Sequence, residues 1–277
     1  MYNLVMKRLC IFAHYDKDNL IDDYVIYYLR ELKKSFNKII FVSDSDLSKK
    51  ETDKIIDIVD YIQAFHHGEY DWGSYKYGYF IAKENYLLQG IDEVLFCNDS
   101  VYGPIISLEP ILNKMSNDTC DFWGMFENQD GIKKDSKEPH LQSWFLLLKK
   151  NVVDSDLFDD FICSVKHLED KNEIIQKYEI GFTQAMTCCF KYKGLYTSDR
   201  GNVVNVATPK LLEKGFPFIK TVVTRKYNMP FKLVPKELVK LIKKHSKRIG
   251  MVPPIQRFFK TLTWKRKMRK FSITKVI

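Results

Sequence analysis

Short apolar runs that end in small polar residues recur along the first half of the chain. The clearest cover residues 9–13, 38–42 and 94–97. Each run is too short for a typical helix and suits a strand that is buried on both faces. Apolar residues at helical spacing follow in 24–34 and 79–88. Strands that alternate with helices in this way predict βαβ units and a parallel sheet, which places the chain in the α/β class.

The second half continues the alternation. Residues 120–126 and 144–148 have the pattern of two further strands, and 154–177 has that of a helix. A second helix is expected over 178–186. The stretch 129–139 is polar and has few apolar residues, which predicts a mobile loop over a site.

The run 94–97 is followed at once by Asn98-Asp99-Ser100, after which a Gly-Pro pair interrupts the chain. A strand that ends here presents an amide, a carboxylate and a hydroxyl at the carboxyl edge of the sheet, where open α/β sheets bind ligands. Such oxygen donors suit Mg²⁺ or Mn²⁺ beneath a diphosphate, with Asp99 as the metal ligand. The alternative is an Asx-turn, in which Asp99 only accepts hydrogen bonds from the next backbone amides.

Further polar residues follow other strands or precede a predicted helix, so they are expected near the same edge. These candidates are His14, Tyr15, Asp44, Asp71, Gly73 and Lys76. Gly73 would allow close approach of a phosphate or sugar, and Lys76 would reach an anion. Alternatively, Asp71 caps the following helix and the glycine serves only the turn.

Six motifs stand in a fixed order along the chain. They are Ala13-His14-Tyr15, Tyr70-Asp71-Trp72-Gly73, Asn98-Asp99-Ser100-Val101-Tyr102-Gly103-Pro104, Leu141-Gln142-Ser143-Trp144-Phe145, Tyr178-Glu179-Ile180-Gly181 and Gly215-Phe216-Pro217-Phe218-Ile219-Lys220. In order and spacing the chain resembles the rhamnan synthesis F family of bacterial polysaccharide glycosyltransferases. The resemblance implies a GT-A-like fold, with a single nucleotide-binding sheet flanked by helices.

The resemblance also implies an activity. The enzyme would transfer a sugar from a nucleotide-sugar donor to a lipid-linked polysaccharide acceptor in capsule, O-antigen or cell-wall glycan synthesis. Rhamnose is the sugar that the resemblance favours, and the transfer would invert the anomeric configuration. A transferase that uses UDP-galactofuranose or another UDP-sugar is the alternative, because no motif fixes the sugar. GT-A enzymes usually carry Asp-x-Asp after the central strand, whereas Asn98-Asp99-Ser100 offers one carboxylate. A divalent cation, Mg²⁺ or Mn²⁺, would therefore depend on the diphosphate for most of its coordination.

Residue roles follow from the same resemblance. Inverting GT-A enzymes carry a carboxylate, on a helix after the strand that follows the metal motif, that deprotonates the acceptor hydroxyl. Glu179 occupies this place in the order of elements, with Glu127 and Asp130 as rivals. The alternative role for Glu179 is stabilisation of a helix N-terminus. His14, Asp44 and Asp71 are assigned to the base and ribose of the donor.

Charge is distributed unevenly. Residues 230–277 contain fifteen Lys or Arg and one acid, Glu237, whereas the remainder carries 29 bases and 34 acids. We expect a transferase domain over 1–229 and basic amphipathic helices over 230–277. Leu238, Leu241 and Ile242 share one helical face, and aromatic residues follow, so the tail would bind anionic lipid. The protein would then lie on the cytoplasmic, inner face of the plasma membrane.

Two other interpretations of the composition carry less weight. A basic tail with interleaved aromatic residues is also typical of nucleic-acid-binding proteins, but an acidic body would repel a phosphate backbone, so we expect no nucleic-acid partner. The alternative for the tail is a helix that packs on the body with its charges in solvent. The six cysteines form no C-x-x-C pair and indicate no zinc site, and the chain has neither an evident signal peptide nor an apolar run of eighteen residues.

Overall fold

The computed structural model describes residues 6–133, 135–199, 203–205, 208–226, 231–250 and 273–276. Its main sheet has nine strands, in the order β11-β9-β6-β8-β4-β1-β2-β3, with β7 paired to β6. The strands of this sheet are β1 (Arg8–His14), β2 (Lys38–Ser43), β3 (Tyr61–Ala64), β4 (Glu93–Asn98), β6 (Phe122–Asp130), β7 (Lys137–Leu141), β8 (Phe145–Lys149), β9 (Tyr192–Ser198) and β11 (Ile273–Lys275).

Helices cover both faces of this sheet. They are α1 (Asp23–Lys33), α2 (Lys49–Thr52), α3 (Tyr70–Glu84), α4 (Glu109–Ser116), α5 (Lys150–Val153), α6 (Asp156–Cys163), α7 (Lys171–Ile174), α8 (Gly181–Met186), α9 (Thr208–Glu213), α10 (Thr221–Lys226) and α11 (Lys236–Arg248). A π-helical turn, Ile175–Ile180, joins α7 to α8, and short 3₁₀ turns occupy Val203–Asn205 and Phe231–Leu233. The predicted α/β class, a central sheet flanked by helices, is confirmed.

Both faces of the central strands are buried. In β1, Cys10 and Phe12 pack on the side of α1, whereas Leu9 and Ile11 pack on the side of α3. Successive side chains of a strand point to opposite faces, so a strand covered on both sides becomes a continuous apolar run. This is the physical reason why the short apolar runs identified the strands.

The predicted parallel sheet is only half correct. Strand β1 pairs in parallel with β2 and β4, and β2 with β3. Strand β8, however, runs antiparallel to both β4 and β6. No crossover helix lies between β6 and β8, and without one a chain returns in the opposite direction.

Three element boundaries differ from the predictions. Helix α3 begins at Tyr70, so Asp71 and Gly73 lie inside it, because Trp72 and Tyr75 are buried against the sheet. The polar stretch 129–139, predicted as a mobile loop, contains the end of β6 and the start of β7, which pair as a hairpin. The helix predicted over 154–177 is interrupted after Cys163 and resumes at Lys171.

A second, two-stranded sheet lies beside the main one. Strand β5 (Val101–Tyr102) pairs antiparallel with β10 (Ile219–Lys220). Gly103, the next residue, has a φ of +146°, and a Cβ there would lie 2.6 Å from the Phe218 ring and 2.7 Å from the Pro217 carbonyl oxygen. Only glycine fits this close approach, which holds the Gly215–Lys220 motif against the segment after β4.

The basic tail is partly integrated into the body. Leu238 and Ile242 of α11 are buried in the core on the side of α1. The prediction that this apolar face binds lipid is therefore wrong, because the face is covered by the protein itself. Residues 273–275 form β11 rather than a helix and pair with β9. The predicted aromatic anchors between 258 and 264 lie outside the described residues. None of the described helices combines the length and apolar composition needed to cross a bilayer.

Candidate active site

The parallel strands β1, β2 and β4 end at one edge of the sheet, and a cavity of about 710 Å³ opens there. Its lining includes Tyr15, Asp44, Asp71, Asp99 and Ser100. These five residues are among those expected at this edge from the sequence. The position agrees with the general rule that open α/β sheets bind ligands beyond the carboxyl ends of their strands.

Asn98 organises the triplet after β4. Its Nδ2 donates to Asp71 Oδ2 (2.7 Å), and its Oδ1 accepts from the backbone N–H and the hydroxyl of Ser100 (3.1 and 2.6 Å). An Asx-turn is thus present, but the buried Asn98 makes it rather than Asp99. The carboxylate of Asp99 is left to other partners.

Asp99 sits among backbone donors and other acids. Its Oδ2 accepts from the Tyr15 N–H (3.1 Å) and lies 3.7 Å from His14 Nε2, and Tyr24 donates its hydroxyl to the Asp99 carbonyl (3.0 Å). Burial, together with the charges of Asp71 and Asp16, raises the pKa of Asp99 well above its usual value. Burial also lowers the pKa of His14 to about 4, so this imidazole is neutral near pH 7.

Asp71 is the second perturbed acid of the cavity. Burial raises its pKa to about 6, although Lys220 and the Asn98 amide act in the opposite direction. The charges of Glu179 and Asp44 add to the rise. Two neighbouring carboxyl groups that hold protons more tightly than usual are typical of functional clefts.

Glu179 lies in the π-helical turn rather than at the start of a helix, which corrects the predicted placement. Its Oε2 accepts from the Ser143 hydroxyl (2.9 Å), and its Oε1 lies 3.5 Å from Nε2 of the buried His140. Burial raises the pKa of Glu179, but His140, Ser143 and Lys220 together bring it below its usual value. The carboxylate is therefore ionised at neutral pH, as a general base requires.

His140 was not among the predicted site residues. Its Nδ1 donates to the Glu138 carbonyl (2.7 Å), so a neutral ring would turn an unprotonated Nε2 toward the carboxylate. Two acceptors that face each other favour protonation. Accordingly, although burial lowers the pKa of His140, the nearby Glu179 carboxylate raises it above its usual value.

Lys220 is the second residue that the prediction missed, although it closes the last of the six motifs. Its Nζ donates to Ser100 Oγ (2.8 Å) and lies 4.9 Å from the centre of the Trp144 ring. Burial lowers its pKa to about 8, while Glu179, Asp71 and Asp99 oppose the shift. A lysine, two perturbed aspartates and a glutamate thus share one electrostatic environment.

Gly73 and Lys76 lie elsewhere. A Cβ at Gly73 would meet the Glu69 and His67 side chains, so the glycine serves packing within the protein. The ammonium of Lys76 donates to the Val165 carbonyl (2.8 Å) and pairs with Glu69. Both residues are engaged within the protein, the lysine by these two partners and the glycine by packing, so neither is carried into the proposal below.

The remaining predicted acids have separate partners. Asp44 lines the cavity and accepts from the backbone N–H groups of His67 and Gly68 (2.7 and 2.9 Å). Glu127 accepts from the Tyr192 hydroxyl (3.0 Å), and Asp130 pairs with Lys137 in the hairpin. Neither Glu127 nor Asp130 lines the cavity.

Helix α11 completes one wall of the cavity. His245 and Ile249 line it, and Arg248 pairs with Asp16, Asp18 and Asp22 of the loop between β1 and α1. The last residues of this helix therefore hold the loop that carries Tyr15.

The predicted metal site is not made by protein groups alone. Within the described ranges, no group of three or more His, Cys, Asp or Glu residues has the geometry to hold a metal ion. The triplet itself contains one carboxylate, that of Asp99, and the nearby Asp71 already accepts a hydrogen bond from Asn98 through its Oδ2. The donor set does not by itself fit a divalent cation.

Comparison with known proteins places the sequence among relatives. The virulence protein VirA of Vibrio anguillarum is 27% identical over 220 residues, which are 77% of this chain and 65% of VirA. The chain thus spans less than two thirds of that relative's length. A family model described as rhamnan synthesis protein F matches residues 39–248.

Several solved structures are similar in fold at low identity. The inositol-1-phosphate CTP transferase of T. maritima has a TM-score of 0.46 at 11% identity, with 90% of this chain and 99% of that chain covered. A putative nucleotide-diphospho-sugar transferase of Desulfovibrio desulfuricans G20 has a TM-score of 0.41 at 12% identity, with coverage of 90% and 100%. The S. cerevisiae mannosyltransferase Ktr4p, solved in complex with GDP, has a TM-score of 0.39 at 13% identity, with 66% of each chain covered. Because the family model matches well over half of the sequence, the chain belongs to the rhamnan synthesis protein F family.

Proposed function

We propose that the protein is a glycosyltransferase that moves a sugar from a nucleotide-sugar donor to a growing glycan. One observation carries the proposal: the perturbed acids Asp71 and Asp99 line the cavity at the strand ends, and the charge of the ionised Glu179, which lies behind this lining, acts on Asp71. A cleft with acids of displaced pKa values is typical of a site for proton transfer. Membership of the rhamnan synthesis protein F family supports the same reaction class.

The donor would lie along the strand ends. Tyr15 and Tyr70 line the cavity with 56% and 49% of their surface exposed, so they offer apolar ring faces to a nucleobase. Asp44 would bind the ribose. The diphosphate would then reach Asn98-Asp99-Ser100. His14, whose Nε2 lies 3.7 Å from Asp99 Oδ2, would help to keep this carboxylate in place.

Glu179 would act as the general base. Its carboxylate takes the proton of the acceptor hydroxyl while that oxygen bonds to the anomeric carbon and the bond to the nucleoside diphosphate breaks. Attack opposite to the leaving group inverts the anomeric configuration. Ser143 and His140 would hold the carboxylate in place, since each contacts one of its oxygens.

The proposal extends to the finer features of the substrate, for which the family resemblance is the support. The donor sugar would be rhamnose and the acceptor a lipid-linked polysaccharide of a capsule, O-antigen or cell wall. A UDP-galactofuranose donor or another UDP-sugar is the alternative. Mg²⁺ or Mn²⁺ would bind only with the diphosphate, whose oxygens would complete the coordination begun by Asp99.

A lipid-linked acceptor would favour attachment to the inner face of the plasma membrane. On the described part of the tail, the exposed Lys240, Lys243 and Lys247 of α11 would meet anionic headgroups, each contributing roughly 1 kcal/mol. Reversing these three charges to glutamate should reduce co-sedimentation with phosphatidylglycerol vesicles. Reversing Lys83, on α3, is the matched control. Equal binding by both variants would contradict this attachment surface.

Thermal unfolding in the presence of nucleotide-sugars tests the function. A ligand that binds the native state raises the melting temperature, by an amount set by its concentration relative to Kd. The panel would contain UDP-, dTDP- and GDP-sugars, each with and without Mn²⁺. We expect one nucleotide class to raise the melting temperature and Asp99→Ala to abolish transfer of its sugar. If no member of the panel shifts the transition, the proposed function is wrong.

A further inference from the structure

We propose that Lys220 is the cationic ligand of the donor diphosphate, a role that rests on the proposed function. Its Nζ lies 2.8 Å from Ser100 Oγ, at the end of the triplet that follows β4. A diphosphate placed at this triplet would therefore come within reach of the ammonium group. Lysine binds phosphate groups as a compact point charge through charge-assisted hydrogen bonds.

The backbone fixes Lys220 at this position. Lys220 pairs with Val101 across the β5–β10 ladder, and the Thr221 N–H donates to the Ser100 carbonyl (2.9 Å). The ammonium itself lies over the Trp144 ring, 4.9 Å from the ring centre, which narrows the positions that it can take. A lysine held by a ladder on one side and a ring on the other is preorganised, which reduces the entropy lost on binding.

The ammonium also has donors to spare. It carries three N–H groups, and within the described residues it forms a hydrogen bond to Ser100 but no ion pair with a carboxylate at 4.0 Å or less. Asp71, Asp99 and Glu179 act on it from farther away. Its placement therefore differs from that of Lys76, whose ammonium is committed to Glu69 and a backbone carbonyl.

The neighbouring acids do not forbid an anion here. Among the described residues, none of the carboxylates of Asp71, Asp99 and Glu179 forms an ion pair with Lys220, and the hydrogen-bond partner of its ammonium is the neutral Ser100 hydroxyl.

Titration calorimetry with nucleoside diphosphates and monophosphates tests the assignment. UDP, dTDP and GDP would be compared with UMP, dTMP and GMP, in EDTA and in Mn²⁺. A charge-assisted hydrogen bond contributes about 1.5–3 kcal/mol, so Lys220→Met should weaken diphosphate binding about 10- to 100-fold. Monophosphate binding should change much less, and Lys83→Met, a surface control, should change neither.

The pH dependence gives a test that needs no loss of the side chain. Wild-type affinity for the diphosphate should fall as the pH rises above about 8, where Lys220 loses its proton. Phosphate groups titrate near pH 6 and are fully ionised in this range. Lys220→Arg keeps its charge and should remove the fall. This comparison also covers the case in which Lys220→Met does not fold.

Three results would overturn the assignment. One is an equal loss of diphosphate and monophosphate affinity in Lys220→Met, which would indicate a structural role. Another is a selective diphosphate loss in Lys17→Met, which would transfer the role to the exposed Lys17 of the cavity wall. The third is an alkaline fall that persists in Lys220→Arg. If the wild type binds no nucleotide at all, the proposed function fails instead, so the two failures are distinguishable.

Discussion

Replacing Glu179 by glutamine removes the proposed base and leaves its surroundings almost unchanged. The amide oxygen of the new side chain can still accept from the Ser143 hydroxyl, which lies 2.9 Å from the carboxylate in the wild type. The amide NH₂ group would face Nε2 of His140, which is an acceptor in the neutral ring because Nδ1 donates to the Glu138 carbonyl. No buried polar group loses its partner. We therefore expect Glu179→Gln to fold, to bind donor normally and to turn over about 100-fold more slowly or worse.

The stability cost of this variant should depend on pH. The pKa of His140 is raised above 6.5 and that of Glu179 is lowered below 4.5, so their interaction stabilises the fold fully between these two values. The stabilisation is lost as the pH rises through the raised pKa of His140 or falls through the lowered pKa of Glu179. Within this window we expect a loss of about 1.5 kcal/mol, or about 3–6 °C in Tm. At a pH above the raised pKa of His140 the loss should nearly vanish.

Two measurements separate the chemical from the structural effect. Release of nucleoside diphosphate gives kcat, and calorimetry with the donor gives its affinity. Glu127→Gln is the matched control, because the Glu127 carboxylate likewise accepts a hydrogen bond from a hydroxyl, that of Tyr192. Near-normal turnover in Glu179→Gln, together with a large loss in the control, would refute the assignment and move the role to Glu127.

Three further substitutions test other parts of the structure. Asp99→Asn should abolish transfer and raise Tm at pH 7.5, because a buried carboxyl group whose pKa is raised in the folded state destabilises the fold at a pH above its unfolded pKa. Calorimetric scans should show that this gain in Tm shrinks on acidification. A gain in Tm that persists at low pH would contradict the view that burial of the Asp99 charge destabilises the fold. Arg248→Met should cost about 2 kcal/mol in denaturant unfolding and weaken donor binding, whereas Lys244→Met, which removes one exposed ion pair, should cost far less. Equal losses would refute a special role for Arg248. Gly103→Ala should lower the free energy of unfolding by at least about 2 kcal/mol, because the new methyl group would clash with the Pro217 carbonyl oxygen and the Phe218 ring. Gly90→Ala, whose methyl group would contact no other atom, should lower it by about 1 kcal/mol. The reverse order of the two losses would argue against the clash.

The central strands could be predicted from the sequence because burial on both faces leaves a continuous apolar signal. The start of α3 could not, since Tyr70-Asp71-Trp72-Gly73 contains the residues of a turn and is helical only because Trp72 and Tyr75 are buried by tertiary packing. Strand β7 was missed for a related reason. Its alternation is weak, with charged residues at Lys137 and Glu138, and it exists through pairing with β6.

The site was predictable where each residue follows its own strand. Asp44 and Asp99 are examples, because the carboxyl ends of neighbouring parallel strands meet at one edge. His140 and Lys220 had no such local signal. His140 contacts Glu179 of a different element, and Lys220 bonds to Ser100 across a separation of 120 residues, so only the fold brings these partners together.

The docking of α11 makes the nucleotide cavity a product of both ends of the described chain. Arg248 holds Asp22 across a separation of 226 residues, and His245 and Ile249 form part of the cavity wall. During synthesis, strands β1, β2 and β4 leave the ribosome long before α11 does. The loop between β1 and α1 then lacks its cationic partner, and the wall beside it is missing. The proposed donor site is therefore completed late in translation, after strands β1, β2 and β4 have all emerged.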